Sequence, residues 1–124
     1  MDPRHQKRIK LLEQLYSHSF NQPQHKSSKS LISDIISNLE AIDVLIKTNA
    51  PRFPIKEMAK IDLAIIRLAI FELVFQKTEP EKAIINEAID LAKEFGSEKS
   101  YAFINGVLSK FLLKKNETTK STGK

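Results

Sequence analysis

Residues 57–76 read EMAKIDLAIIRLAIFELVFQ, and this run decides the fold. Its apolar residues, from Ile61 through Leu63–Ile66, Leu68–Phe71 and Leu73–Phe75, surround most of the circumference of a helix drawn over Glu57–Gln76. A helix apolar on most sides is the buried centre of a bundle. A parallel-sheet strand is the competing reading of such a run, but about 20 residues is too long for one strand. Asp62, Arg67 and Glu72 interrupt Ile61–Phe75, which is in any case too short to cross a bilayer. The arginine stands out, because burying it unpaired is costly. The expected partner of Arg67 is Glu87 or Asp90 on the following helix, and the alternative is that Arg67 faces a ligand or a partner.

Downstream, Thr78 with Glu81 three residues on has the spacing of a capping box, with Pro80 suited to a helix's first turn. The helix so opened runs to Phe95 and stops at Gly96, read as a left-handed helix end. Ser97 is then placed to cap a last helix, with Glu98 near its positive end. That helix carries Tyr101, Phe103, Ile104, Val107, Leu108, Phe111 and Leu112, and a polar tail expected to lack regular structure follows from Lys114. Upstream, Pro51 and Pro54 bracket a short connector. Before it, Leu31 to Asn49 repeats apolar residues at three and four positions, predicting one amphipathic helix capped by Ser28 or Ser30. Ile9, Leu12, Leu15 and Tyr16 predict a first helix from about Arg4 to Phe20, ended by Asn21–Pro23. No strand signal and no internal repeat is present. The expected fold is an all-α bundle.

At 124 residues the chain is one domain, and its 41% hydrophobic and 28% charged content is that of a folded protein. The absence of cysteine excludes disulfide scaffolds, thiol catalysis and cysteine-based zinc sites, and agrees with a reducing compartment. No signal peptide is visible, so a cytoplasmic location is expected. Catalytic and cofactor chemistry finds little support. His5, His18 and His25 do not share the short helical spacing of a metal site, and only three glycines occur. The expectation is no enzyme, no cofactor and no metal.

Charge is more informative than composition. Residues 1–30 carry six Lys/Arg and two acids, residues 31–100 nine bases and twelve acids, and residues 101–124 five bases and one acid. Two basic ends around a mildly acidic middle point to an anionic partner, nucleic acid before membrane. The alternative is two solvated termini. On the first helix Arg4 and Arg8 lie one turn apart with Lys7 beside them, a spacing suited to the phosphates of a single strand, with Tyr16 two turns on as a surface for a base.

The run Ile85-Asn86-Glu87-Ala88-Ile89-Asp90-Leu91-Ala92-Lys93-Glu94-Phe95-Gly96, then Ser100, then Phe103-Ile104-Asn105-Gly106-Val107-Leu108, resembles the C-terminal signature of the NusB family. Ile66-Arg67-Leu68-Ala69-Ile70-Phe71-Glu72-Leu73 resembles that family's central-helix motif, and Leu15-Tyr16 its first-helix motif. The resemblance covers residues 4–20 and 57–112, and the segment 21–50 is shorter than in typical members. It implies a bundle of about six or seven helices in two small subdomains: a single domain over 1–114, with bundles at about 4–50 and 55–114, and a basic tail at 115–124. It also implies a noncatalytic transcription antitermination factor. Such a factor pairs with the small-subunit ribosomal protein acting as NusE, binds single-stranded boxA RNA of nascent ribosomal transcripts, and works on the elongation complex as a monomer or homodimer.

Carried over position by position, the resemblance assigns RNA contact to Arg4, Lys7, Arg8, Tyr16, Arg67, Lys99, Tyr101 and Phe103, and the NusE-facing surface to Asp62. His5, Gln6 and Lys7 dilute the arginine-rich segment, and Lys99 stands where some relatives carry an acid. Asn86, Glu87, Asn105 and Gly106 are expected to be structural, Gly106 by permitting close helix approach. A helical protein-interaction module that keeps NusE but has little RNA affinity is the alternative function.

Overall fold

The computed structural model describes residues 3–20 and 30–122, with side chains as far as Asn116. It has six α-helices: α1 Pro3–His18, α2 Leu31–Ser37, α3 Leu39–Asn49, α4 Lys60–Phe71, α5 Glu81–Phe95 and α6 Ser100–Thr122. A 3₁₀ turn at Ile55–Glu57 precedes α4 and a π turn at Glu72–Gln76 follows it. No strand occurs among the described residues. No helix among them is long and apolar enough to cross a membrane.

Helix α4 is the axis of the molecule and packs against α1, α3, α5 and α6. Every residue from Asp62 to Phe71 except Arg67 is buried. Around it, Leu12 and Leu15 of α1, Ile35 of α2, Ile42 and Ile46 of α3, Ile84 and Leu91 of α5, and Ile104 and Leu108 of α6 complete one continuous buried cluster. Each neighbour presents one apolar stripe and α4 presents all its sides, so the order of layers follows from hydrophobic burial.

The structure departs from the sequence reading at element ends. The predicted helix over 31–49 is two helices, broken at Asn38. There the side-chain amide Nδ2 donates to the Asp34 carbonyl at 2.8 Å, and the backbone sits at φ −105°, ψ 5°. An asparagine that offers its own amide to a backbone carbonyl competes with the helical ladder. Ser30 is the N-cap of α2, its Oγ accepting from the Ser33 N–H; Ser28 and His25 lie outside the described residues.

The capping box at Thr78 and Glu81 does not form. Pro80 is the N-cap of α5 without a side-chain cap, and the Glu81 carboxylate instead accepts from Lys115 Nζ on α6 at 2.8 Å. A long-range ion pair takes the place of the local cap. Gly96 is not left-handed either (φ −91°). Its lack of a side chain matters for space: a Cβ there would lie 2.5 Å from Cβ and Oγ of Ser100 and 2.8 Å from the Ala92 carbonyl. Helix α6 starts at buried Ser100, whose Oγ accepts from the Ser97 N–H at 2.9 Å while the Ser97 carbonyl accepts the Ser100 N–H. Beyond the last buried residue, Phe111, the backbone of α6 stays helical to Thr122 where a tail without regular structure was expected from Lys114.

The π turn shapes the site. The Lys77 N–H donates to the Glu72 carbonyl at 2.8 Å, five residues back, and Lys77 itself is left-handed at φ 52°. Wide turns of this kind are rare and are frequently found at functional sites. Here the turn starts at Glu72, which is buried.

Candidate functional site

Arg8 is the most constrained polar residue of α1. It is 5% exposed, and its guanidinium grips Glu72 by two edges: Nε to Oε2 at 2.9 Å and Nη2 to Oε1 at 2.6 Å. Nη2 also donates to Glu79 Oε2, and Nη1 lies 3.7 Å from Glu87 Oε1. The hydrogen bonds that Arg8 donates to Glu72, aided by the charges of all three glutamates, outweigh burial and raise the Arg8 pKa. Arg8 therefore stays charged at any accessible pH. One turn earlier His5 bridges two carboxylates of α5, Nδ1 to Glu87 Oε2 at 2.9 Å and Nε2 to Glu94 Oε2 at 3.1 Å. Those hydrogen bonds, Glu87 first, raise the His5 pKa above 6.5. Arg4 reaches Glu79 Oε1 at 3.4 Å with its side chain 68% exposed. Lys7 is exposed. The basic face of α1 is thus divided: Arg8 turns inward and fastens α1 to the π turn and α5, while Arg4 and Lys7 stay at the surface.

Arg67 is also paired inside the protein, with a partner other than the one expected. Its Nε and Nη2 donate to the two carboxylate oxygens of Asp43 on α3, at 3.0 and 2.8 Å, in place of Glu87 or Asp90. Helix spacing on α4 does not reveal this, because α3 reaches Arg67 only through the tertiary packing.

The exposed aromatic residues form a second group. Tyr16 is 39% exposed and meets Phe20 edge-to-face, ring centroids 5.0 Å apart; Lys60 at the start of α4 stands over the Phe20 ring at 5.4 Å. Next to Lys60, Ala59 lines a groove of about 380 Å³ that also holds Asp62, Lys99, Phe103, Phe53 and Arg52. Phe103 and Phe53 meet edge-to-face at 5.1 Å. Tyr101 is exposed and does not line this groove; Lys93 stands over its ring at 5.5 Å. Asp62 is 8% exposed, and its Oδ1 has no hydrogen-bond partner among the described residues.

The structure therefore brings Asp62, Lys99 and Phe103 together in one groove. Tyr16 meets Phe20, over whose ring stands Lys60, the sequence neighbour of the groove residue Ala59, and Arg4 and Lys7 lie further along α1. Sequence reasoning missed Phe20, Lys60, Arg52 and Phe53. The i, i+4 spacing of Tyr16 and Phe20 is the one signal that points to the first of these. Among the described residues no group of three or more His, Asp or Glu could hold a metal ion.

This arrangement has relatives. The family model described as the NusB family matches residues 3–113. The chain belongs to the NusB family. The transcription antitermination protein NusB of Geotalea daltonii is 50% identical over 78 residues, covering 63% of this chain and 54% of that protein. The chain spans 54–62% of the length of the first curated NusB relatives it matches. T. maritima NusB superposes with a TM-score of 0.78 at 28% identity, covering 89% of this chain and 90% of that one. A chain from the complex of antitermination factors NusB and NusE with double-stranded RNA superposes with a TM-score of 0.69 at 23% identity, over 89% of this chain and 97% of that one, which supports the NusB fold.

Proposed function

We propose that this NusB-family chain is a noncatalytic, cytoplasmic RNA-binding adaptor of transcription antitermination. Together with the small-subunit ribosomal protein acting as NusE, it holds the boxA element of nascent ribosomal RNA at the elongation complex. The observation that carries the reading is the aromatic and cationic track from Tyr16 and Phe20, past Lys60, to Lys99 and Phe103. Single-stranded RNA is bound by cations that follow its phosphates and by aromatic faces on which unpaired bases stack. In this reading Tyr16, Tyr101 and Phe103 receive bases, and Arg4, Lys7 and Lys99 attract phosphates. Arg8 and Arg67 act by positioning, since both guanidinium groups are held by carboxylates of the chain itself. Asp62 belongs to the NusE-facing side, where a donor from the partner would satisfy its lone Oδ1.

The test is fluorescence anisotropy of a labelled boxA-type RNA against a scrambled RNA, with and without NusE. Sequence-selective binding strengthened by NusE supports the adaptor. Equal binding of both RNAs reduces the basic ends to nonspecific attraction. A second reading, a module that binds NusE with little RNA affinity, is favoured by the inward turn of Arg8, which leaves Arg4, Lys7 and Lys10 as the surface cations of α1. NusE capture without RNA binding would select it.

A further inference from the structure

A second groove opens on the other side of the Phe53–Phe103 pair, between the loop that follows α3 and the outer face of α6. It is a cavity of about 320 Å³, near the lower end of the roughly 300–1,000 Å³ of small-molecule pockets. Phe53 and Phe103 form one wall and Gly106 the floor, with Arg52 and Lys110 at the rim. No carboxylate lines it. Arg52 and Lys110 are exposed and make no ion pair among the described residues.

Gly106 is informative here. Glycine in an exposed helix interior is less favourable than alanine by about 1 kcal/mol. The sequence reading explained it by close helix approach, yet a Cβ on Gly106 would meet nothing within 4 Å. Nothing among the described residues uses the missing side chain. What it leaves is open space above the α6 backbone, beside an exposed phenylalanine. In the wall behind lies Asn49, 5% exposed, its Nδ2 committed to the Leu45 carbonyl and its Oδ1 without a partner among the described residues.

We propose that this groove seats one further unpaired base of the RNA strand, next to the bases held on the Tyr16–Phe103 track. The inference rests on the RNA-binding reading above and extends it around α6. Flat apolar walls with cations only at the rim match a polyanionic chain that carries flat rings. Phe53, Phe103 and Arg52 line both grooves, so a strand crossing the aromatic pair places successive bases on its two sides. Arg52, at the junction, faces the intervening phosphate.

The decisive variant is Gly106→Leu: its Cβ meets nothing within 4 Å, the rest of its side chain occupies the groove against the apolar lining, and helix propensity rises, so its melting temperature should not fall. Anisotropy is measured with a labelled boxA-type RNA and with versions shortened from either end. Loss of one stacked base predicts about 5- to 100-fold weaker binding of the full-length RNA. At least one shortened RNA, unable to reach the groove, should bind variant and wild type alike. Arg52→Ala should lower the salt slope of the full-length RNA by about 0.7. Wild-type affinity of Gly106→Leu for every RNA would overturn the proposal. Unchanged RNA affinity with lost NusE capture would overturn it too and assign the groove to the protein partner. If wild type itself binds none of the RNAs, the RNA-binding reading fails, and the groove's assignment with it.

Discussion

Replacing Arg8 with alanine separates a positioning role from a phosphate contact. Arg8 and Glu72 have side chains only 6% and 7% exposed, so solvent screens their pairing little, and Arg8→Ala leaves the Glu72 carboxylate buried without its bidentate partner. Breaking a buried pair by removing one member costs about 3–5 kcal/mol. Domains near this size lose roughly 3–5 °C of melting temperature per kcal/mol, so thermal unfolding followed by circular dichroism should show a fall of about 10–25 °C. Arg8→Lys should recover only part of it, because an ammonium cannot span both carboxylate oxygens. The double replacement Arg8→Met with Glu72→Leu should regain most of it, since a buried ion pair is often replaced by apolar residues without net loss. Below its melting point Arg8→Ala should keep the wild-type salt dependence of RNA binding. An unchanged melting temperature, together with a salt slope lowered by about 0.7, would refute this reasoning and return Arg8 to the phosphates.

Tyr16→Ala and Phe20→Ala should each weaken RNA binding by about 1–3 kcal/mol where a base stacks, measured by anisotropy; wild-type affinity in both would remove the α1 end of the track from the interface. Gly96→Ala should destabilise by about 1–3 kcal/mol in urea unfolding, because its Cβ would overlap Ser100 and the Ala92 carbonyl. His5 has a folded-state pKa raised above 6.5, chiefly by Glu87 and then Glu94. Its contribution is therefore fully present below pH 6.5 and lost as pH rises through the folded-state value. His5→Gln should be less stable than wild type at pH 6 and should approach it in alkaline buffer. Asp43→Ala should cost about 1.5–3 kcal/mol by leaving Arg67 without its carboxylate, with no change in the salt slope of RNA binding.

Much of the architecture was legible in periodicity. An apolar run on all sides of α4 predicts a buried central helix, and one-sided stripes predict the helices around it. Prolines 51 and 54 fall in the connector where proline chemistry puts them. Element ends were less legible, because local signals compete there with distant partners. Thr78 and Glu81 have the spacing of a cap, yet Glu81 pairs with Lys115; the helix expected over 31–49 breaks at Asn38 through one side-chain amide.

The candidate site divides in the same way. Tyr16, Lys99 and Tyr101 are exposed and Phe103 is half-buried, and all four lie in or next to the runs that resemble the family's motifs. The roles of Arg4, Lys7 and Arg8 could not be separated by sequence, since all three are cations on one helix. Only the packing of α1 against the π turn makes Arg8 a buried clamp and leaves its neighbours at the surface. Phe53 and Arg52 carry no motif, and their place beside Phe103 exists only once the loop after α3 crosses α6. The sequence by itself determined the all-helical class, the buried central helix and the charge of the two ends, because these depend on residues a few positions apart. The tertiary structure decided which cations are buried in ion pairs, which stay at the surface, and which aromatic rings share a groove, because burial and ion pairing depend on groups brought together from distant parts of the chain.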